Sequence, residues 1–217
     1  MTPEARERVE AATVVVEQEP GGFGQGVLAA GGVILTAAHC VEWDTGGRME
    51  LGDCSRVAVK SPSGESFVAE VAFVDPVSGV AAVMEPDSQA LPEDWDQFDA
   101  FCDRTEPVPM FLGAISVPDR SRIIAGEPWP SMNVAIWQHT RSWIDGIAAF
   151  IWGASRGIAS LKVQGKWQGE LPSGTSGGPI VNEAGELLGV VSSDRQFPFL
   201  PKALPGWLWK RITDAQG

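Results

Sequence analysis

Two short segments carry side chains that together could cleave an acyl bond. Leu35-Thr36-Ala37-Ala38-His39-Cys40 closes an apolar run with an imidazole. Gly174-Thr175-Ser176-Gly177-Gly178-Pro179 sets a serine among glycines directly before another apolar run. A serine hydroxyl is a weak nucleophile near neutral pH and needs a base within hydrogen-bond reach. An imidazole can take that proton and return it to a leaving group. Glycines let the backbone bend tightly around the hydroxyl and turn amide N–H groups toward one point. Either segment alone is commonplace, since a histidine after an apolar strand is usually only packed, and Gly-Ser-Gly-Gly-Pro is a usual turn.

Taken together and in this order, the two strings resemble the trypsin/chymotrypsin-like serine peptidases. The resemblance is strongest over residues 24–40 and 172–192. It implies two packed six-stranded antiparallel β-barrels with the active site in the cleft between them. It also implies Ser176 as nucleophile and His39 as general base, with the N–H groups of Gly174 and Ser176 forming the oxyanion hole. Losing one such donor typically costs about 100- to 1,000-fold in rate. By the same resemblance, Ser192 lies beside the substrate and Ser192 to Asp194 line the specificity pocket. An ungapped reading puts Glu170 at the pocket base and Asp194 near its rim. Two acids there would favour Lys or Arg at the cleaved bond. No metal and no organic cofactor is implied.

The sequence departs from the family pattern at the third triad member. The family places an aspartate just before an apolar strand. The matching stretch here is Asp75-Pro76-Val77-Ser78-Gly79-Val80-Ala81-Ala82-Val83-Met84, which puts Gly79 at the acid position. Asp75 is the nearest candidate acid, although an aspartate before Pro76 is more often a cap of its own turn. The alternatives are a slow Ser–His dyad or a degenerate domain that binds without cutting. In a dyad enzyme, Gly79→Asp is expected to raise turnover. Thr175 stands where many secreted relatives carry an aspartate that pairs with a freed N-terminus, so activation by that route is not expected. Cys40 would normally bridge to a cysteine on the preceding strand, but residues 24–26 offer none. It is therefore expected to be a free buried thiol.

The elements that must position these residues are mostly strands. Short β-branched or apolar runs span residues 12–17, 26–29, 33–36, 56–60, 66–74 and 80–84, separated by Gly and Pro turns. A second set spans 110–117, 122–125, 133–138, 147–152, 158–163, 180–182 and 187–192. This pattern predicts an all-β barrel or sandwich. A charged helix is expected over the first ten residues, started by Pro3. An acidic, solvated linker is expected over 85–109, with a helical turn near 93–98. A closing helix is expected near 205–213, packing Trp207 and Leu208 on the body. The expected organisation is one peptidase domain: a first barrel over about 11–90 and a second over about 110–200. His139 reads as an exposed loop residue. The nine tryptophans, in a chain without tyrosine, read as core and cleft packing.

Composition narrows the function classes. The chain has 217 residues, 44% hydrophobic and 20% charged, the balance of a globular protein. A net charge of −12 argues against nonspecific binding to nucleic acid or anionic membrane. Three cysteines without a CxxC pair suggest neither a disulfide framework nor a metal site. The start lacks a signal-peptide pattern, and the longest apolar stretch is too short to span a bilayer, so a cytoplasmic location is expected. The expected function is a regulated serine endopeptidase acting on protein or peptide substrates, with a regulatory protein or fused domain as a possible partner. A catalytically impaired peptide-binding or scaffold module is the alternative, and an esterase using the same serine is a third reading.

Overall fold

The computed structural model describes residues 1–18, 21–41, 56–86, 92–113, 131–153, 158–165, 171–192 and 197–217. The chain starts with helix α1 (Pro3–Ala12), where Thr2 accepts a hydrogen bond from the Ala5 amide and Pro3 fits the first turn. Six strands follow: β1 (Thr13–Gln18), β2 (Gly22–Ala29), β3 (Val33–Ala37), β4 (Arg56–Lys60), β5 (Ser66–Asp75) and β6 (Val80–Met84). They close a barrel in the order β1-β2-β3-β6-β5-β4, all antiparallel.

Burial explains how these strands read in sequence. β4 alternates exposed and buried residues along its whole length, the period of a strand with one wet face. β3 and β6 are buried at every position, which is why both are unbroken apolar runs. Their register pairs Thr36 with Ala81 and Ala37 with Val80. The next residues outward are therefore Ala38 on one side and Gly79 on the other.

The acidic segment departs from expectation. It contains a full helix, α2 (Pro92–Arg104), where only a solvated linker with one turn was expected. Phe98 and Phe101 are buried, and both rings meet Phe67 of β5, at 5.8 and 4.9 Å between centroids. Glu93, Asp96, Asp99 and Asp103 stay exposed. Two phenylalanines at helical spacing outweigh the acidic composition, because burying each contributes about 1.5–3 kcal/mol.

The second half forms β7 (Ser131–Gln138), β8 (Ser142–Gly153), β9 (Ile158–Gly165), β10 (Pro179–Asn182), β11 (Leu187–Val190) and β12 (Phe197–Pro198). Their order is β11-β10-β7-β8-β9-β12, and a bridge between Gly189 and Phe199 brings the two ends together, leaving a nearly closed barrel. Residues 110–113 form no strand: Met110 makes only an isolated bridge to Leu187. Residues 114–117 and the expected strand at 122–125 lie outside the described residues.

Two helices end the chain, α3 (Leu200–Ala203) and α4 (Gly206–Gln216). Leu208 and Ile212 of α4 are fully buried, but Trp207 is 53% exposed, so it does not anchor the helix as expected. Arg211 instead ties α4 to the β2–β3 turn, its Nε donating to Gly31 O at 2.7 Å. At the other end, Trp143 of β8 donates to Glu10 of α1 at 2.7 Å. Each terminal helix thus fastens elements of one barrel to the other. No helix among the described residues is long and apolar enough to cross a membrane.

Candidate active site

His39 sits in a 3-10 turn, Ala38–Cys40, that follows β3 directly. The turn is fixed where Ala38 N–H donates to Gly79 O at 3.0 Å. His39 is exposed on one side, yet partial burial lowers its pKa from the ordinary histidine value. Its neighbour Cys40 points inward and is buried. Burial pushes that thiol up to about 11, so it is protonated and unreactive near neutral pH. Cys40 is a free cysteine, as the sequence led us to expect, and the structure shows why. It faces Gly24, where a Cβ would overlap its sulfur.

Ser176 is half-buried at the tip of a tightly bonded loop. Thr175 N–H donates to Pro172 O at 3.1 Å, and Gly178 N–H to Thr175 O at 2.9 Å. Gly177 N–H donates to Val191 O at 2.7 Å and Val191 N–H to Gly178 O at 2.9 Å, which holds the loop on the end of β11. The loop is then joined to the first barrel, because Gln25 N–H donates to Ser176 O at 2.6 Å. A Cβ on Gly24 would lie 3.0 Å from Ser176 O as well as against Cys40. The peptide carrying Ser176 and the residue after His39 therefore meet at the same glycine of β2. Gly177 has φ +82°, and a Cβ there would overlap the Gln25 carbonyl, so no other residue fits without moving the strand.

Gly174 is buried against the ring of Phe23. Phe23 is 45% exposed and meets His139 edge-on, with ring centroids 5.5 Å apart. His139 is thus not a plain exposed loop residue: its ring is half-buried and its Nδ1 fully so. A cleft of about 1010 Å³ opens along Phe23, Cys40, Val41, Arg56, Lys60 and His139. It adjoins the Ser176 loop through Phe23 and the His39 turn through Cys40.

The third position is filled differently. Gly79 has φ +79°, a conformation that an aspartate adopts only with strain. A Cβ built there would overlap Ser192 Oγ and lie 3.1 Å from Ser192 Cβ. The Ser192 hydroxyl therefore fills the space beside Gly79. Asp75 caps its own turn: its Oδ1 accepts from Val77 N–H at 2.9 Å and its carbonyl accepts from Gly79 N–H at 2.8 Å. The structure thus brings Ser192 to the Gly79 corner and engages the Asp75 carboxylate locally. Glu170, Asp194 and Cys54 lie outside the described residues. Phe23 and Gln25 were not singled out from the sequence. The one signal for Gln25 is a polar residue between glycines on an otherwise apolar strand.

Comparison with known proteins agrees with this fold. A family model described as the trypsin-like peptidase domain matches residues 24–190. The chain belongs to the trypsin-like peptidase family. The match runs from β2 to the end of β11 and contains His39, Gly79 and Ser176. The peptidase domain is 26% identical over 205 residues to the mitochondrial serine protease HTRA2 of Bos taurus, covering 88% of this chain and 38% of that protein. The chain thus spans less than half the length of that relative. Among solved structures it resembles the active form of the Rv3671c protease of M. tuberculosis, with TM-score 0.56, 15% identity and coverage of 96% and 83% of the two chains. It also resembles a serine endoprotease from Yersinia pestis, with TM-score 0.51, 16% identity and coverage of 97% and 64%. At these identities the structural likeness shows the fold, two six-stranded antiparallel barrels of the chymotrypsin type.

Proposed function

We propose that this trypsin-like peptidase domain is a serine endopeptidase acting on protein or peptide substrates. Ser176 is the nucleophile and His39 the base, and the N–H groups of Gly174 and Ser176 receive the oxyanion. The observation that supports this most is the meeting of the Ser176 and His39–Cys40 segments at Gly24. Two segments far apart in sequence are held on one pair of residues in β2 by backbone bonds and close contact. In the acylation step, Ser176 Oγ attacks the substrate carbonyl carbon while its proton passes to His39. The carbonyl oxygen gains the charge, which the two amides stabilise. His39 then protonates the leaving amine as the C–N bond breaks, and water repeats the sequence to free the acid.

In this reading Asp75 serves its turn and does not orient the imidazole. Ser192 packs the corner where the family resemblance would put an aspartate. An acidic pocket from Glu170 and Asp194 would select Lys or Arg, and the domain would act under a regulator or a fused partner. The unpaired Cys40 supports a reducing compartment such as the cytoplasm. Arginyl and lysyl peptides cut no better than apolar ones would remove the pocket assignment.

The test is a fluorophosphonate probe read by intact mass, with Ser176→Ala as control. One adduct on the parent chain and none on the control is expected. Absence of an adduct on the parent would favour the binding-module reading, which the glycine at the acid position motivates.

A further inference from the structure

Gln25 is a polar side chain in a place the fold could have left to glycine or an apolar residue. It is 2% exposed and lies in β2 between Gly24 and Gly26. Its main chain makes two bonds: N–H donates to Ser176 O at 2.6 Å, and its carbonyl accepts from Thr36 Oγ1 at 2.5 Å. That same carbonyl backs directly on Gly177. Its side-chain Oε1 is buried without a hydrogen-bond partner among the described residues. A Cβ built on Gly178 would lie 2.8 Å from Gln25 Oε1, from Thr175 O and from Trp137 O alike. Three acceptor oxygens thus surround one point, and two are main-chain carbonyls. Thr175 O already accepts from Gly178 N–H at 2.9 Å, whereas Gln25 Oε1 is left without a donor, and a buried acceptor without one is costly. A primary amide has nearly the same shape in its two orientations, and turning it over replaces the oxygen by an NH2 with two donors.

We infer that the Gln25 side chain presents its NH2 to this point and donates to the Thr175 and Trp137 carbonyls, which makes Gln25 a positioning residue for the oxyanion donor of Ser176. This rests on the reading of Ser176 as nucleophile. The mechanism follows from peptide planarity. Thr175 O and Ser176 N–H belong to one trans peptide and point in opposite directions. Holding Thr175 O on the inner side turns the Ser176 N–H outward, to the side where an oxyanion would form. Gln25 then grips the chain at both Thr175 O and Ser176 O, on either side of the nucleophile's Cα. The anchor is neutral: Thr175 is 1% exposed and Gln25 carries no charge, so the grip does not titrate near neutral pH.

Two variants test this. Gln25→Leu keeps an apolar side chain of similar bulk and removes both donors. Its turnover of an activated ester is expected to fall at least fivefold with KM within twofold; a smaller fall overturns the inference. Gln25→Glu supplies a donor only while protonated. Its rate relative to the parent is expected to decline as pH rises, and a constant ratio across pH overturns the inference. A third measurement needs neither activity nor a stable variant. In the 15N-labelled parent chain, the Gln25 NH2 protons are expected to exchange with solvent at least a hundredfold more slowly than those of an exposed glutamine. Exchange at the exposed rate overturns the inference. A parent chain that takes up no fluorophosphonate and turns over no ester removes the peptidase reading, and the exchange rate then decides the Gln25 contact alone.

Discussion

The loop carrying Ser176 and the turn carrying Gly79 use the same means to different ends. Each contains a glycine with positive φ, and each is bonded to the strand beside it. In the Ser176 loop, glycines admit the Phe23 ring and the Gln25 carbonyl, Ser176 stays half-buried at the tip, and the main chain is tied to β2 and the end of β11. In the Gly79 turn, the close approach is made by Ser192, and the one carboxylate is spent on the turn itself. The loop proposed to carry the nucleophile is closely bonded along its backbone, while the corner at Gly79 is packed by Ser192 instead of an acid. A glycine there marks a repacked corner, so the empty-looking letter in the sequence corresponds to filled space.

The largest effect is expected from breaking the first region. Gly177→Ala drives a Cβ into the Gln25 carbonyl at φ +82°. We expect probe labelling to fall more than a hundredfold, and urea denaturation to show a loss of roughly 3 kcal/mol, from strain and overlap together. Labelling at the parental rate would show that the loop tolerates a displaced β2.

The second region gives the next effect, opposite in sign to the sequence-based expectation. Gly79→Asp places a side chain at φ +79° on top of Ser192 Oγ. We expect turnover to fall about tenfold, with about 1–3 kcal/mol of stability lost to strain. Adding Ser192→Gly removes the overlap and is expected to recover part of the rate. If Gly79→Asp alone speeds the reaction, the corner is more yielding than its packing indicates.

The pH dependence sharpens the same comparison. Partial burial lowers the His39 pKa, so the neutral imidazole proposed to accept the serine proton persists to lower pH than in an exposed histidine. The acid limb of labelling rate against pH is expected to have its midpoint below 6.5, the ordinary value. A midpoint above that value would reveal an anionic partner acting on the imidazole. Smallest of all is Asp75→Asn, which keeps an oxygen acceptor for the Val77 amide and loses only the charge. We expect a rate within twofold of the parent, whereas a triad aspartate replaced this way can cost about 10,000-fold.

Much of the scaffold was legible because burial wrote it into the residue pattern. β4 and β6 fall where alternation and an unbroken apolar run place them. The helix α2 was obscured because its acids dominate composition, while its fold depends on two phenylalanines meeting Phe67 across the chain. The free Cys40 was legible from its local string, and the same strings singled out His39 and Ser176 as candidates, whose segments the fold brings together at Gly24. The Ser192–Gly79 contact and the grip of Gln25 were not, since each joins residues from separate strands and depends on where a backbone leaves room for one atom. Trp207 misled for a related reason: helical spacing locates a face, but the body it meets is set by Leu208 and Ile212.

The facing pair Gly24 and Cys40 carries a consequence for the history of such a chain. A cysteine at position 24 would put its Cβ about 3.1 Å from that of Cys40, slightly tighter than the spacing of a relaxed bridge. Glycine and cysteine codons can differ by one base. Where Gly24 is encoded by such a codon, a single nucleotide separates this barrel from a covalent lock worth about 3 kcal/mol for a loop of this order. Cys40 is thus half of a lock that a cysteine at position 24, with a small local adjustment, would complete in oxidising surroundings.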